Sequence, residues 1–275
     1  MKKILLISFL FTVQVCYAAT VDTISIYSNA MHKEFKCVVI SPSMRKLIPL
    51  PVVYLLHGWS GAFSDWIKKV PAIKEYADKY SMLIVCPDGG YSSWYFDSPI
   101  DSSMKYETYI SLEVPAYIDA HYKTIKDRTA RAIAGLSMGG HGGMFLSFRH
   151  SDIFGACGSM SGGLDLNDAR NKFDILKRLG DTIRQADNWK NYSVLNVVEN
   201  RPTESLAIIF DCGMDDFFYP GNKKLHEKLL LLKVPHDYIE RPGQHDWNYW
   251  SNSVEYHLLF FRKYFDKYKR PRTSN

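Results

Sequence analysis

Apolar positions along the chain follow two alternating kinds of pattern. Residues 23–28 and 35–41 alternate or run apolar and predict an opening pair of antiparallel strands. Four short apolar runs follow, at 52–56, 82–86, 130–134 and 206–210. Runs of this type fit strands buried on both faces, as in a parallel sheet. A further strand is predicted at 237–241. Between the runs the apolar period becomes that of a helix. Ile73, Tyr76, Ala77 and Tyr80 make one stripe, and Ile110, Val114, Tyr117, Ile118 and His121 make a second. Trp250, Val254, Leu258, Phe261 and Phe265 mark a long C-terminal helix. Strands alternating with helices predict a single α/β domain, a mostly parallel central sheet with helices on both faces. Residues 161–204 are more than a simple crossover needs and carry several helical patches, so they read as an insertion over the strand ends that caps or walls a pocket.

The first residues break this pattern. Met1-Lys2-Lys3 is positive, residues 4–15 are mostly apolar, and Cys16-Tyr17-Ala18 offers small residues at −3 and −1 before Ala19. This predicts an export signal at 1–18 and a mature domain at 19–275, periplasmic or extracellular. The apolar stretch falls short of the roughly 20 residues that a spanning helix needs, so no membrane association is expected after cleavage. Val13-Gln14-Val15 lacks the small residue that precedes a lipidated cysteine, which argues against an anchor at Cys16.

Composition narrows the partners. With 46% hydrophobic and 23% charged residues the chain is ordinary globular material, which excludes collagen-like, coiled-coil and disordered classes. The formal charge of +5 falls to roughly +3 once Lys2 and Lys3 are removed, too weak and dispersed for nucleic acid. The one dense basic run, Lys267, Lys269, Arg270 and Arg272, reads as a solvated terminus. Cys37, Cys86, Cys157 and Cys212 match no disulfide framework or zinc spacing, and Cys86 and Cys212, closing apolar runs, read as buried thiols. The nine histidines show no metal-ligand spacing, so neither metal nor cofactor is expected.

Candidate chemistry centres on Gly135-Leu136-Ser137-Met138-Gly139, the only G-x-S-x-G in the chain. A predicted strand ends just before it and a predicted helix, 141–149, follows, the context in which a nucleophilic serine sits on a tight turn. The helix N-terminus there favours developing negative charge. A serine hydroxyl needs a base, and the order in this architecture is serine, acid, histidine. His245 lies in a loop between the 237–241 strand and the final helix, whereas His226 and His257 fall on helices and read as packed or surface residues. Asp211, Asp215 and Asp216 all follow the 206–210 run, and the residues alone leave the acid open among them. An oxyanion hole needs two N–H donors. Met138, directly after the serine, supplies one, and Trp59 in the loop His57-Gly58-Trp59-Ser60-Gly61 supplies the other.

Leu55-Leu56-His57-Gly58, Ser93-Trp94-Tyr95-Phe96-Asp97-Ser98-Pro99, Gly135 to Gly142, Cys212-Gly213-Met214-Asp215-Asp216 and His245-Asp246-Trp247 occur together in this order. In these the chain, from about residue 21 to 268, resembles the esterase D-like branch of the α/β-hydrolases. That branch includes tributyrin esterases, S-formylglutathione hydrolases, the feruloyl and acetyl xylan esterases of carbohydrate esterase family 1, and the mycolyltransferases. The resemblance implies the α/β-hydrolase fold, a triad of Ser137, Asp216 and His245, and oxyanion donors on Trp59 and Met138. It also implies that the aromatic segment 91–105 walls a substrate pocket through Trp94, Tyr95 and Asp97. Packing of that loop onto the domain is the competing reading, and Tyr106, Glu107 and Thr108 read as the start of the next helix. The expected function is an exported serine carboxylesterase acting on small-molecule or carbohydrate esters, such as acyl or feruloyl groups on polysaccharides. A thioesterase of the S-formylglutathione hydrolase type, an acyltransferase and a non-catalytic carbohydrate-binding protein are the alternatives. Export weighs against the thioesterase, and an intact serine and histidine weigh against the non-catalytic protein.

Overall fold

The computed structural model describes residues 18–43, 48–200 and 205–268. The expected export segment therefore lies outside the described residues up to position 17, as do Lys269, Arg270 and Arg272 of the basic tail. Lys267 is described and exposed. Within the described residues the strands are β1 (Thr20–Ser28), β2 (Lys33–Ser41), β3 (Val52–Leu56), β4 (Leu83–Pro87), β5 (Arg131–Leu136), β6 (Ala156–Met160), β7 (Ala207–Gly213) and β8 (Asp237–Arg241). They form one sheet in the order β1-β2-β4-β3-β5-β6-β7-β8. β1 and β2 pair antiparallel, β2 joins β4 antiparallel, and every pairing from β4 to β8 is parallel.

Helices α1 (Asp65–Lys69) and α2 (Ile73–Lys79) link β3 to β4. The segment after β4 enters α3 (Tyr106–Thr108), a π-helical turn at Tyr109–Glu113 and α4 (Val114–His121), in line with the expected helix start at Tyr106. α5 (Met138–Arg149) follows β5. α6 (Leu176–Leu179), α7 (Ala186–Tyr192) and α8 (Val194–Val197) lie in the long segment before β7. α9 (Tyr219–Leu231) and α10 (Trp247–Lys267) complete the chain.

Strand alternation divides the core into two layers. Val52, Tyr54, Leu56, Ile133, Ile208 and Phe210 face α4, α5 and α9 through Val114, Phe145 and Leu225. Val53, Leu55, Ile84, Ala132 and Ile209 face α1, α2 and α10 through Trp66, Ile73, Val254 and Phe261. The short apolar runs are thus strands covered on both sides.

β6 is absent from the sequence expectations because Ala156-Cys157-Gly158-Ser159-Met160 has no apolar run. Its small residues answer to close packing: a Cβ on Gly143 of α5 would lie 2.7 Å from the Gly158 carbonyl, and one on Gly158 would strike the imidazole of His257. β7 also runs beyond the predicted apolar stretch, so Asp211 is still in the sheet, registered against Met160 and Ile239. β3 is flanked by β4 on one side and β5 on the other, so successive connections diverge at its C-terminal end. Crevices that bind ligands open at such switch points. The loops leaving Leu56 and Leu136 meet there.

Candidate active site

Ser137 sits between β5 and α5 with φ 55° and ψ −117°, a left-handed backbone that a non-glycine residue holds only under constraint. Its N–H donates to the Met160 carbonyl at 2.9 Å, and its carbonyl accepts from His141 N–H at 3.0 Å. The two flanking glycines are steric necessities. A Cβ on Gly135 would lie 2.5 Å from the Gly139 carbonyl, and one on Gly139 would lie 2.5 Å from the His57 carbonyl and 2.6 Å from that of Leu56. The turn can close only where both lack side chains, which is why the pentapeptide has its spacing.

The loops after β7 and β8 approach as closely: a Cβ on Gly213 would collide with the Gly243 backbone, and Asp215 N–H donates to the Gly243 carbonyl at 3.0 Å. That contact brings Asp216 to His245. His245 Nδ1–H donates to Asp216 Oδ2 at 2.7 Å, and Ser137 Oγ–H donates to His245 Nε2 at 2.9 Å. The carboxylate accepts only, so it fixes the proton on Nδ1 and leaves the Nε2 lone pair to the serine. Asp216 is 4% exposed and its other oxygen, Oδ1, accepts Phe218 N–H at 2.8 Å. The His245 ring packs among Phe217, Phe218 and Trp250 at centroid distances of 4.3, 5.4 and 4.9 Å.

The other two aspartates are elsewhere. Asp215 is exposed. Asp211 is fully buried, accepting from Arg241 Nη2 at 2.9 Å and from the Ser253 hydroxyl, with His257 Nε2 3.5 Å away. It ties β7 to β8 and α10, the elements that carry the Asp216 and His245 loops.

The loop from His57 to Gly61 is fixed by His57, which donates Nδ1–H to the Gly58 carbonyl and accepts Gly89 N–H on Nε2, both at 2.8 Å. This pattern requires the neutral imidazole. Trp59 lies in the cavity wall beside Ser137 and His245. Met138 opens α5, where the first N–H groups have no intrahelical acceptor.

The wall expected from Trp94, Tyr95 and Asp97 is corrected by the structure. Trp94 and Tyr95 are 1% and 0% exposed, and none of the three lines the cavity at Ser137. Tyr95 donates its hydroxyl to the His57 carbonyl at 2.9 Å, supporting the loop from His57 to Gly61. Asp97 accepts from Thr108 N–H at 3.0 Å and from the Thr108 hydroxyl at 2.6 Å, holding the start of α3. Trp94 donates its indole N–H to the Phe173 carbonyl at 3.0 Å. The segment packs inward because a long aromatic loop buries more apolar area against the domain than it could around an open pocket.

Ser137 opens into a cavity of about 150 Å³ walled by Trp59, Phe173, Trp247 and Trp250. Larger grooves, of about 930 and 860 Å³, lie away from the serine. Trp247 was legible as part of the His245-Asp246-Trp247 motif and Trp250 as the start of the last helix's stripe; Phe173 lies in the 161–204 segment expected to cap or wall a pocket, where no motif singled it out. His141, one turn beyond the serine, is not a second base. Burial pushes its imidazole down to about 3, and its Nε2–H donates to the Tyr192 carbonyl at 2.8 Å. The four cysteines of the described residues are all buried and free, as Cys86 and Cys212 were expected to be.

The Esterase family model matches residues 28–261. A ferulic acid esterase structure superposes with a TM-score of 0.77 at 30% identity, covering 90% of this chain and 99% of that one. Acetyl esterase of Caldicellulosiruptor saccharolyticus is 25% identical over 217 residues, 74% of this chain and 80% of that protein. Diacylglycerol acyltransferase/mycolyltransferase Ag85A of Mycobacterium bovis (strain BCG / Pasteur 1173P2) is 32% identical over 260 residues, 78% of this chain and 76% of its own length. The chain spans about half the length, 48%, of Esterase Rv1288 of Mycobacterium tuberculosis (strain ATCC 25618 / H37Rv), which it matches at 27% identity.

Proposed function

The chain belongs to the Esterase family and has the α/β-hydrolase fold, and from that premise we propose that it is a serine hydrolase of carboxylic esters. The observation that carries the reading is the continuous hydrogen-bonded series Asp216–His245–Ser137, with its serine on the left-handed turn. Ser137 Oγ attacks the ester carbonyl as its proton passes to His245 Nε2. Asp216 holds the imidazole in the accepting tautomer and stabilises the imidazolium. The N–H groups of Trp59 and Met138 receive the tetrahedral oxyanion. His245 then returns the proton to the departing alkoxide, and water, activated by the same histidine, hydrolyses the acyl-enzyme.

Cavity size limits the substrate. A volume of about 150 Å³ is that of a cavity that holds one benzene ring. We therefore read the group that enters it as a single aromatic ring or a short aliphatic chain, which agrees with feruloyl or acetyl esters of carbohydrates. Transfer to a second alcohol in place of water is the other reading, favoured by the identity to the acyltransferase. Adding a sugar alcohol during turnover separates them, since a transferase forms a new ester where a hydrolase releases acid.

Fluorophosphonate labelling tests the nucleophile. Wild-type protein takes up one equivalent and hydrolyses p-nitrophenyl acetate, and Ser137→Ala loses both. Labelling that persists at another serine in the mutant refutes the assignment. We also propose that the protein is exported, on the strength of residues 1–18. N-terminal sequencing of native material should then begin near Ala19, and a mature cytosolic form retaining Met1 overturns this.

A further inference from the structure

We infer that Phe173 sets the length of the ester chain that the Ser137 cavity admits, an inference that rests on the serine-esterase reading above. Phe173 lines the cavity together with Ser137 and His245, and it alone among the lining residues comes from the segment between β6 and β7. Of the other walls, Leu136 ends β5, Trp247 and Trp250 form the first turn of α10, and Trp59 lies in the loop that His57 holds after β3.

The backbone that delivers Phe173 is under constraint. Asn171, Phe173 and Asp174 have φ of 65°, 55° and 56°, so three non-glycine residues of four adopt the left-handed region. Side chains hold that conformation only where the surroundings over-determine it. Here the surroundings are visible. The buried indole of Trp94 donates to the Phe173 carbonyl at 3.0 Å, and Asp174 pairs with Lys177 at 2.9 Å. The Phe173 ring lies 5.6 Å from that of Trp59, 5.9 Å from Phe217 with planes at 19°, and 6.0 Å from Phe218. A turn free to face solvent would relax. This one holds the ring against Trp59 of the loop after β3 and Phe217 and Phe218 of the loop after β7, where it forms part of the cavity wall. Trp94, expected to meet substrate, instead positions the residue that does.

Two substitutions change the volume in opposite directions. Phe173→Ala opens the cavity, and each further methylene it buries is worth about four-fold in relative kcat/KM. The octanoate-to-acetate ratio with p-nitrophenyl esters should rise ~10-fold or more. Phe173→Trp narrows the cavity and should lower the butyrate-to-acetate ratio. A parallel series of methyl, butyl and octyl acetates, run on the same proteins, shows whether the acyl or the alcohol half enters. Profiles of both variants within about two-fold of wild type in both series overturn the role of Phe173. If one variant fails to fold, the other still decides, because each makes its own prediction of opposite sign. Failure of the underlying reading looks different: wild type would neither hydrolyse any ester nor take up fluorophosphonate.

Discussion

Replacing Asp216 by Asn exchanges one oxygen for an NH2 group, and the surroundings decide which. Phe218 N–H donates to Oδ1 at 2.8 Å, so that position must remain the carbonyl oxygen. The amide nitrogen is then forced into the Oδ2 position, 2.7 Å from His245 Nδ1. Two donors cannot face each other, so the imidazole must move its proton to Nε2 and accept on Nδ1. Nε2–H then faces Ser137 Oγ, where a lone pair is required. The serine loses its base while geometry and volume are preserved. By analogy with the same change in a serine protease, kcat falls by up to ~10⁴, or about 5.5 kcal/mol of transition-state stabilisation, with KM little affected. The assay is steady-state hydrolysis of p-nitrophenyl acetate beside the rate of fluorophosphonate uptake, which should slow in parallel. Asp215→Asn, at an exposed site, should stay within about two-fold of wild type. A folded Asp216→Asn protein whose kcat is within ten-fold of wild type, or an Asp215 variant that loses as much, refutes the tautomer reasoning.

Gly139→Ala sets a methyl 2.5 Å from the His57 carbonyl and 2.6 Å from the Leu56 carbonyl, neither of which can swing aside. We expect a stability loss of about 2 kcal/mol or more in urea titrations, with kcat falling further than stability because the displaced loop carries Trp59; unchanged kcat in a folded variant speaks against that loop as the oxyanion site. Stability should also fall in mild acid. Burial lowers the His141 imidazole from 6.5 to about 3, so the unfolded chain binds its proton first and stability is full above pH 6.5 and lost as pH falls towards 3. Between pH 6.5 and 5 this amounts to about 2 kcal/mol at 1.36 kcal/mol per unit. Urea midpoints at pH 7 and 5 should differ less in His141→Leu than in wild type, and equal differences would rule out His141 as the source.

The chain's own pattern determined the fold class and half of the site. Apolar runs too short for helices read as strands covered on both faces, and Gly135 and Gly139 around Ser137 announced a turn that crowds out neighbouring side chains. His245 was legible because a histidine between a strand and a helix has loop freedom that His226 and His257 lack. Position along the chain left the acid open among Asp211, Asp215 and Asp216, and the resemblance selected Asp216. Only tertiary structure shows why. Asp211 is still held in the sheet and engaged by Arg241, Asp215 faces solvent, and the backbone contact between Gly213 and Gly243 brings the remaining carboxylate onto the imidazole. The same holds for the cavity. Trp94, Tyr95 and Asp97 sit in a motif that reads as a wall, yet burial turns them inward, while Phe173 reaches the cavity from the 161–204 segment, which reads as a cap or wall with no residue in it singled out. Periodicity reports which face of an element is buried. Which loop side chains converge on one crevice depends on contacts between residues far apart in sequence, and those are made only when the sheet brings its strand ends together.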